Sequence, residues 1–390
     1  MDAKATSTAL EIDPFLRDGF EVHAAALERG MDTTLLPRQV LMVGSGNPTL
    51  GDASFVHGVP QSSTVSGVTY AQDKRVRRAL LERQGFRVPR GATFSIGKSA
   101  REAAEFAERI GFPVVVKPTM GDNTIGVIPA ISTVEQMEEA IEYLHTPLED
   151  REDFTRASYA MTELREPGMR DGVPVAPPSY RFLVESEVSG QYVRLLVIDG
   201  TVRNATYCPH GPARTDLSGI RDVTSEVHPA LADHAVAATR VIPGLAVTAV
   251  DVVVPDFSRV SSGKDIHIVE YSERPWLALQ ASYNSALASE LAAQVLRAEL
   301  RSKPTWDVRD SVSVAVKIDG AVAPDALQKA CTAKSAELGL ESSLAVTDPA
   351  LGHITGSISG GAREIACLME TALDVGIDGY RAMLAELRVQ

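Results

Sequence analysis

Apolar residues along the chain fall into short unbroken runs and into helical stripes, and the two patterns predict different elements. Phe112-Pro-Val-Val-Val-Lys117 is a β-branched run of strand length that ends on a lysine. Residues 39–43, 180–185, 192–198, 202–207, 247–254 and 265–272 also read as strands, and another starts at Val127. Asp199-Gly200, between two of these runs, is a two-residue hairpin signal. Helices are predicted at 20–28, 72–83, 100–110, 134–144, 229–241 and 281–300. In the 72–83 helix, Val76, Leu80 and Leu81 form the apolar stripe, and the basic residues read as a solvated face. Ser99 with Glu102 predicts a capping box, and Ser132 or Thr133 caps the helix after it.

The rest of the chain sets the domain plan. Strand 39–43 runs into Gly44-Ser45-Gly46-Asn47-Pro48, a turn of the βα type without the third glycine of a dinucleotide fingerprint, so residues 1–68 read as a small α/β lip. Residues 147–178 are rich in Pro, Asp, Glu and Gly and read as a mobile loop region. The loop from Cys208 through His210 to Asp216 is read slightly in favour of a plain surface loop over a segment that closes on a site. After residue 305 the order is strand 311–318, helix 324–338, strand 343–346, strand 353–358 and helix 363–375, which predicts a separate small α+β domain over 305–390.

Bulk properties narrow the function. The 390 residues give room for two or three domains with proper cores. The net charge of -13, with no basic block, argues against nucleic acid as a partner. Cys208, Cys331 and Cys367 are far apart and show no metal-ligand spacing, which suits a reducing compartment. There is no apolar leader and no run of transmembrane length, so a cytoplasmic location without a membrane partner is expected. The oligomeric state is left open, a homodimer included.

Two stretches carry candidate chemistry. Lys117 precedes a loop, Gly121-Asp122-Asn123-Thr124-Ile125-Gly126, whose backbone N–H groups can turn inward around an anion because glycine tolerates the left-handed region. That pairing suits a nucleoside triphosphate; a buried strand, a snorkelling lysine and an ordinary turn explain it equally well. Asp251 lies inside an apolar strand and Glu270 at the end of another. A buried carboxylate needs a cation, a donor or a proton. Two carboxylates on neighbouring strands suit Mg²⁺, and a salt bridge to Asp251 serves as well.

Taken in order, Asp73-Lys74…Arg78, Val114-Val-Val-Lys117-Pro118, the loop from Gly121 to Gly126, Glu185-x-x-Val188-x-Gly190, Arg194-Leu-Leu-Val-Ile-Asp-Gly200, Val250-Asp251 and Glu270-x-Ser272-x-Arg274-Pro275 resemble the ATP-grasp superfamily. The likeness runs over about residues 62–300 and is greatest to the ATP-grasp parts of cyanophycin synthetases and D-alanine–D-alanine ligases. The resemblance implies an α+β fold of two subdomains gripping ATP, with the ATP-grasp domain at 69–304, split into 69–150 and 151–304. It implies Lys117 and Arg78 on the ATP phosphates and Gly121, Asp122, Asn123, Thr124 and Gly126 in the loop folding over them. Glu185 and Val188 would lie beside adenine. Asp251, Glu270 and Ser272 would hold Mg²⁺, and Arg194 and Arg274 would act at the reacting centre. The implied reaction joins a small-molecule carboxylate to an amine through an acyl phosphate, releasing ADP and phosphate.

Several positions depart from the family pattern. Arg78 stands where many relatives have lysine, which keeps the charge. Tyr192 occupies the position of an acid that often holds the ribose, and Ser272 that of an asparagine ligand. Trp276 follows Pro275 where glycine is common. Ala249 stands where the D-alanine enzymes carry arginine, which argues against that substrate pair. A non-catalytic nucleotide-binding regulatory module is the alternative these changes allow.

Overall fold

A computed structural model describes residues 12, 14, 16–96, 98–121, 126–146, 168–170, 173–175, 181–211, 216–260, 262–302 and 306–390. In chain order the elements begin α1 (Arg17–Glu28), β1 (Asp32–Leu36), β2 (Val40–Gly44), β3 (Ala53–Val56), β4 (Val59–Pro60), α2 (Val65–Gln72), α3 (Lys74–Arg83) and β5 (Gly91–Ser95). They continue with α4 (Ala100–Ile110), β6 (Val114–Pro118), β7 (Ile128–Ile131), α5 (Val134–His145), β8 (Gly168–Arg170), β9 (Val173–Val175), β10 (Arg181–Ser186), β11 (Gln191–Ile198) and β12 (Thr201–Cys208). Then come β13 (Arg221–Asp222), α6 (Pro229–Thr239), β14 (Val247–Val254), β15 (His267–Ser272), α7 (Ala278–Tyr283) and α8 (Ser285–Glu299). The chain closes with β16 (Ser311–Asp319), α9 (Pro324–Glu337), β17 (Glu341–Asp348), β18 (His353–Gly361), α10 (Ala362–Glu370) and β19 (Leu384–Val389).

The chain divides into two compact units, one of residues 1–61 and 276–390 and one of residues 62–275. In the first, eight strands form one sheet in the order β17-β18-β16-β19-β1-β2-β3-β4. The ends of the chain, expected as a lip and a separate domain, thus share a sheet. The join is β19, which pairs with β16 on one side and β1 on the other, Leu387 opposite Thr33. Sequence reading missed this strand and the turn chemistry of the lip: residues 44–48 lead into antiparallel β3, not into a helix. The expected long helix 281–300 is broken at Asn284, whose side chain accepts from the Leu287 N–H and so starts α8 afresh.

The second unit has two main antiparallel sheets. The smaller has the order β5-β10-β6-β7 and the larger β13-β12-β11-β14-β15. Helices α4 and α5 cover the smaller sheet through Ala103, Ala107, Met137 and Leu144 against Val114, Val116, Phe182 and Val184. Thr133 caps α5 through the Gln136 N–H, whereas the Ser99 side chain makes no capping bond to α4. The 72–83 helix begins at Lys74 because Asp73 turns its carboxylate onto the Arg75 and Val76 N–H groups.

The larger sheet is apolar on one face and charged on the other. Val193, Leu195 and Val197 of β11 and Val250, Val252 and Val254 of β14 enter a core closed by Leu231, Ala235 and Ala238 of α6. The alternate residues Tyr192, Arg194 and Asp251 point to the opposite face, as a two-residue period requires. The Asp199-Gly200 turn joins β11 to β12 with both residues at positive φ, 50° and 68°, the geometry of a tight hairpin. We expect Leu195→Ala, which empties a fully buried position in this core, to lower the unfolding free energy by about 2–5 kcal/mol. Urea titration followed by circular dichroism measures the loss; an unchanged midpoint would mean this face is not the unit's core.

Candidate active site

The charged face gathers side chains from four elements of the second unit. Helix α3 presents Lys74, Arg77 and Arg78 with Leu81 at helical spacing; Lys74 and Arg77 are 2% and 5% exposed. The expectation of a solvated basic face fails for these two. Strand β6 contributes Lys117, β10 contributes Glu185 and β15 contributes Glu270, all buried. The Lys117 ammonium pairs with Glu185 and also donates to the Val269 carbonyl at 3.2 Å. Arg78 reaches the other Glu185 oxygen at 3.2 Å and Glu82 at 3.0 Å. Arg77 pairs with Glu270 and donates to the Tyr271 and Ala71 carbonyls at 2.8 and 3.2 Å. Lys74 donates to the Gly121 carbonyl at 2.9 Å, which fixes the start of the glycine loop.

Burial alone would raise the pKa of Glu270. Arg77 first, then Lys74 and Lys117, outweigh that and lower it to about 2. At the next strand, Asp251 lies directly opposite both Arg194 on β11 and Glu270 on β15. Arg194 donates to both Asp251 oxygens, at 3.1 and 3.0 Å, and the Tyr192 hydroxyl donates to one of them at 2.6 Å. Burial pushes the Asp251 carboxyl up against the pull of Arg194 and Tyr192. Burial and the Asp251 charge push the Tyr192 phenol well up, which keeps it a donor. Tyr192 therefore spends its hydroxyl proton on a carboxylate. Burial also raises the Cys208 thiol to about 12, so it is no nucleophile.

A cleft of about 360 Å³ opens here, lined by Lys117, Glu185, Val188, Tyr192, His210 and Glu270 among others. That volume falls within the range of small-molecule sites. Val115, Val127 and Pro129 give it apolar walls. Pro209, His210 and Gly211 line it as well, so the loop read as plain surface belongs to the site. Gly190 is required beside it: its φ is 151°, and an added Cβ would lie 2.5 Å from the Val254 carbonyl oxygen.

Comparison with known proteins adds a family to this geometry. The model for the carbamoyl-phosphate synthase L chain ATP-binding domain matches residues 73–146, the stretch carrying Lys74, Arg77, Arg78 and Lys117. A D-alanine–D-alanine ligase of Shouchella clausii is 33% identical over 113 residues, 26% of this chain and 30% of the ligase. One of Xylella fastidiosa is 30% identical over 132 residues, 32% of this chain and 41% of the ligase. Over the stretches they cover, these matches agree with the ATP-grasp resemblance of the sequence. The chain spans less than half the length of either ligase. Among solved structures, a bifunctional glutathione synthetase of Pasteurella multocida matches with a TM-score of 0.43 at 14% identity, covering 71% of this chain and 44% of that one; a likeness at that level says nothing about chemistry.

The residues singled out from the sequence separate clearly in the structure. Arg78, Lys117, Glu185, Val188 and Glu270 line the cleft or the small cavity that adjoins it. Arg194 is committed to Asp251. Ser272 and Arg274 are buried at and just past the end of β15. Gly121 and Gly126 flank the loop, and Asp122, Asn123 and Thr124 lie outside the described residues, as does most of 147–178. Lys74 and Arg77 were missed as site residues. Their signal was helical spacing to Leu81, which places them on the buried side of α3.

The donors available for a hard cation are oxygens on one face. Asp251 and Glu270 stand opposite each other, and Ser272, opposite Ala249, is two residues along. Among the described residues no group of three or more His, Cys, Asp or Glu side chains converges. Two carboxylates and a hydroxyl suit Mg²⁺, which takes its remaining ligands from water and substrate phosphates.

The lowered pKa of Glu270 has a consequence for acid stability. A carboxylate depressed from 4.5 to about 2 adds stability above pH 4.5 that is lost as pH falls toward 2. We expect Glu270→Gln to abolish that component, worth roughly 3 kcal/mol across the window at ~1.4 kcal/mol per unit. Unfolding free energies from urea titrations between pH 5 and 2.5 measure it; parallel curves for both proteins would show Glu270 ionising as freely folded as unfolded.

Proposed function

We propose that residues 62–275 bind ATP and that the chain uses it to activate a small-molecule carboxylate for attack by an amine, releasing ADP and phosphate. The observation that carries this reading is a charge imbalance. Lys74, Arg77, Arg78 and Lys117 stand around two buried carboxylates, Glu185 and Glu270, with exposed Glu82 as a further partner of Arg78. Buried cations in excess of acids need an anion, and a polyphosphate supplies it. The D-alanine–D-alanine ligases that align here support the reaction class.

In this reading Lys117 and Arg78 contact the phosphates, with Lys74 holding the base of the loop that carries Gly121, Asp122, Asn123, Thr124 and Gly126. Glu185 keeps Lys117 and Arg78 in place. The Ser186 and Glu187 N–H groups are committed to the Arg90 and Pro113 carbonyls, so Val188 provides the backbone and side-chain contact to adenine. Asp251, Glu270 and Ser272 would hold Mg²⁺, which when bound supplies charge neutralisation at the transferring phosphoryl group. Arg274 would act on the carboxylate and the acyl phosphate, and Arg194 would act there through Asp251. Fixed cations act on charge that develops in transfer without reorganising. The substrates are free acid and amine, the location is the cytoplasm, and no helix among the described residues is long and apolar enough to cross a membrane.

A screen of amino-acid and amine pairs with nucleotide analysis tests the reaction. ADP and phosphate are expected; AMP with pyrophosphate would exclude the acyl phosphate, and binding without turnover would leave a regulatory module. Lys117→Met is expected to lower turnover at least a hundredfold, about 3 kcal/mol of transition-state stabilisation. Arg78→Lys, which keeps the charge, is expected to lose less than tenfold. Steady-state rates on the active pair compare the two, and equal losses would remove Lys117 from its special place on the phosphates.

A further inference from the structure

Asp251 and Glu270 face each other on adjacent strands, yet they are held in different ways. Glu270 lines the cleft and is paired with Arg77. Asp251 is 1% exposed. Its carboxylate takes three bonds from β11, two from Arg194 and one from Tyr192. Tyr192 and Arg194 are two residues apart on that strand, so both point to the Asp251 side. Tyr192 itself lines the cleft, so the residue that faces incoming ligands is also the one that occupies an Asp251 oxygen.

The geometry points to Tyr192 as a latch on the metal site: its hydroxyl holds a lone pair of Asp251 Oδ2, and giving up that hydrogen bond opens Oδ2 to a divalent cation seated at Glu270. Tyr192 is a positioning residue, acting through Asp251. The inference rests on the reading of Asp251 and Glu270 as cation ligands. With three of the carboxylate's four acceptor sites filled, the phenolic O–H competes with a cation for Oδ2, and at 2.6 Å that bond is short and strong. Arg194 reaches both oxygens from a single nitrogen, Nη1, and so stays on Asp251 whether or not the Tyr192 bond is made.

Tyr192→Phe tests the latch because it keeps the ring and both Arg194 bonds and removes only the hydroxyl. Mn²⁺, another oxygen-seeking cation, is titrated into the protein alone, and free Mn²⁺ is read by electron paramagnetic resonance. Affinity is expected to rise about tenfold in Tyr192→Phe, the scale of one hydrogen bond to a charged group. The gain is expected to vanish in the Tyr192→Phe, Asp251→Asn double variant. A Tyr192→Phe affinity within twofold of wild type would overturn the latch, as would a gain that survives loss of the Asp251 charge. The titration contains no nucleotide, so it is decided separately from ATP binding, which calorimetry on the wild type measures by itself.

Discussion

The ion pair between Arg77 and Glu270 is the constraint on which the site depends. Both side chains are withdrawn from water, and removing one partner from such a pair costs about 3–5 kcal/mol because the other charge is left stranded. Arg77 meets that demand from α3 with two further bonds to backbone carbonyls. The same arginine therefore fixes the helix against β15 and keeps Glu270 ionised for use in the cleft. Lys74, one turn earlier, ties α3 to the first residue of the glycine loop. One short helix thus sets Gly121, the acid and the buried cations together.

The β-sheet beneath makes this arrangement possible through its two faces. Strands β11 and β14 bury valines and leucines on one side, which gives the unit its core and holds the strands in register. Register then decides the chemistry on the other side. Arg194, Asp251 and Glu270 fall in a row across three strands because each is directly opposite the next. A slip of one residue would send all three charges into the apolar core. The packing of Val193, Leu195, Val250 and Val252 is consequently also what places the acids.

Asp251 and Glu270 show how neighbours give two similar acids different properties. Burial raises the pKa of both, but Glu270 is surrounded by three cations, while the pull of Arg194, Tyr192 and Arg77 on Asp251 is opposed by the Glu270 charge as well as by burial. Their pKa values move apart as a result. An acid held at about 2 stays ionised and is always a counter-charge. An acid whose oxygens are filled by donors has first to be released.

Much of the site was present in the order of residues. The run ending at Lys117, the glycine-bounded loop, the hairpin at Asp199-Gly200 and an acid inside the apolar strand at Asp251 are local features, and local backbone preference and polarity report them directly. The sequence by itself determined the strand alternation of the second unit. What the tertiary structure decided is partnership. Lys74 and Arg77 became buried because α3 packs its basic side inward onto β15, and a helical stripe read alone counts charges as solvated. Tyr192 became a donor to Asp251 because β11 and β14 pair in one register. The N- and C-terminal segments became one sheet because β19, short and alternating, finds its neighbours more than three hundred residues away in β1. Such pairings depend on closing long loops, and no local pattern of apolar and polar residues encodes which distant strand will be met.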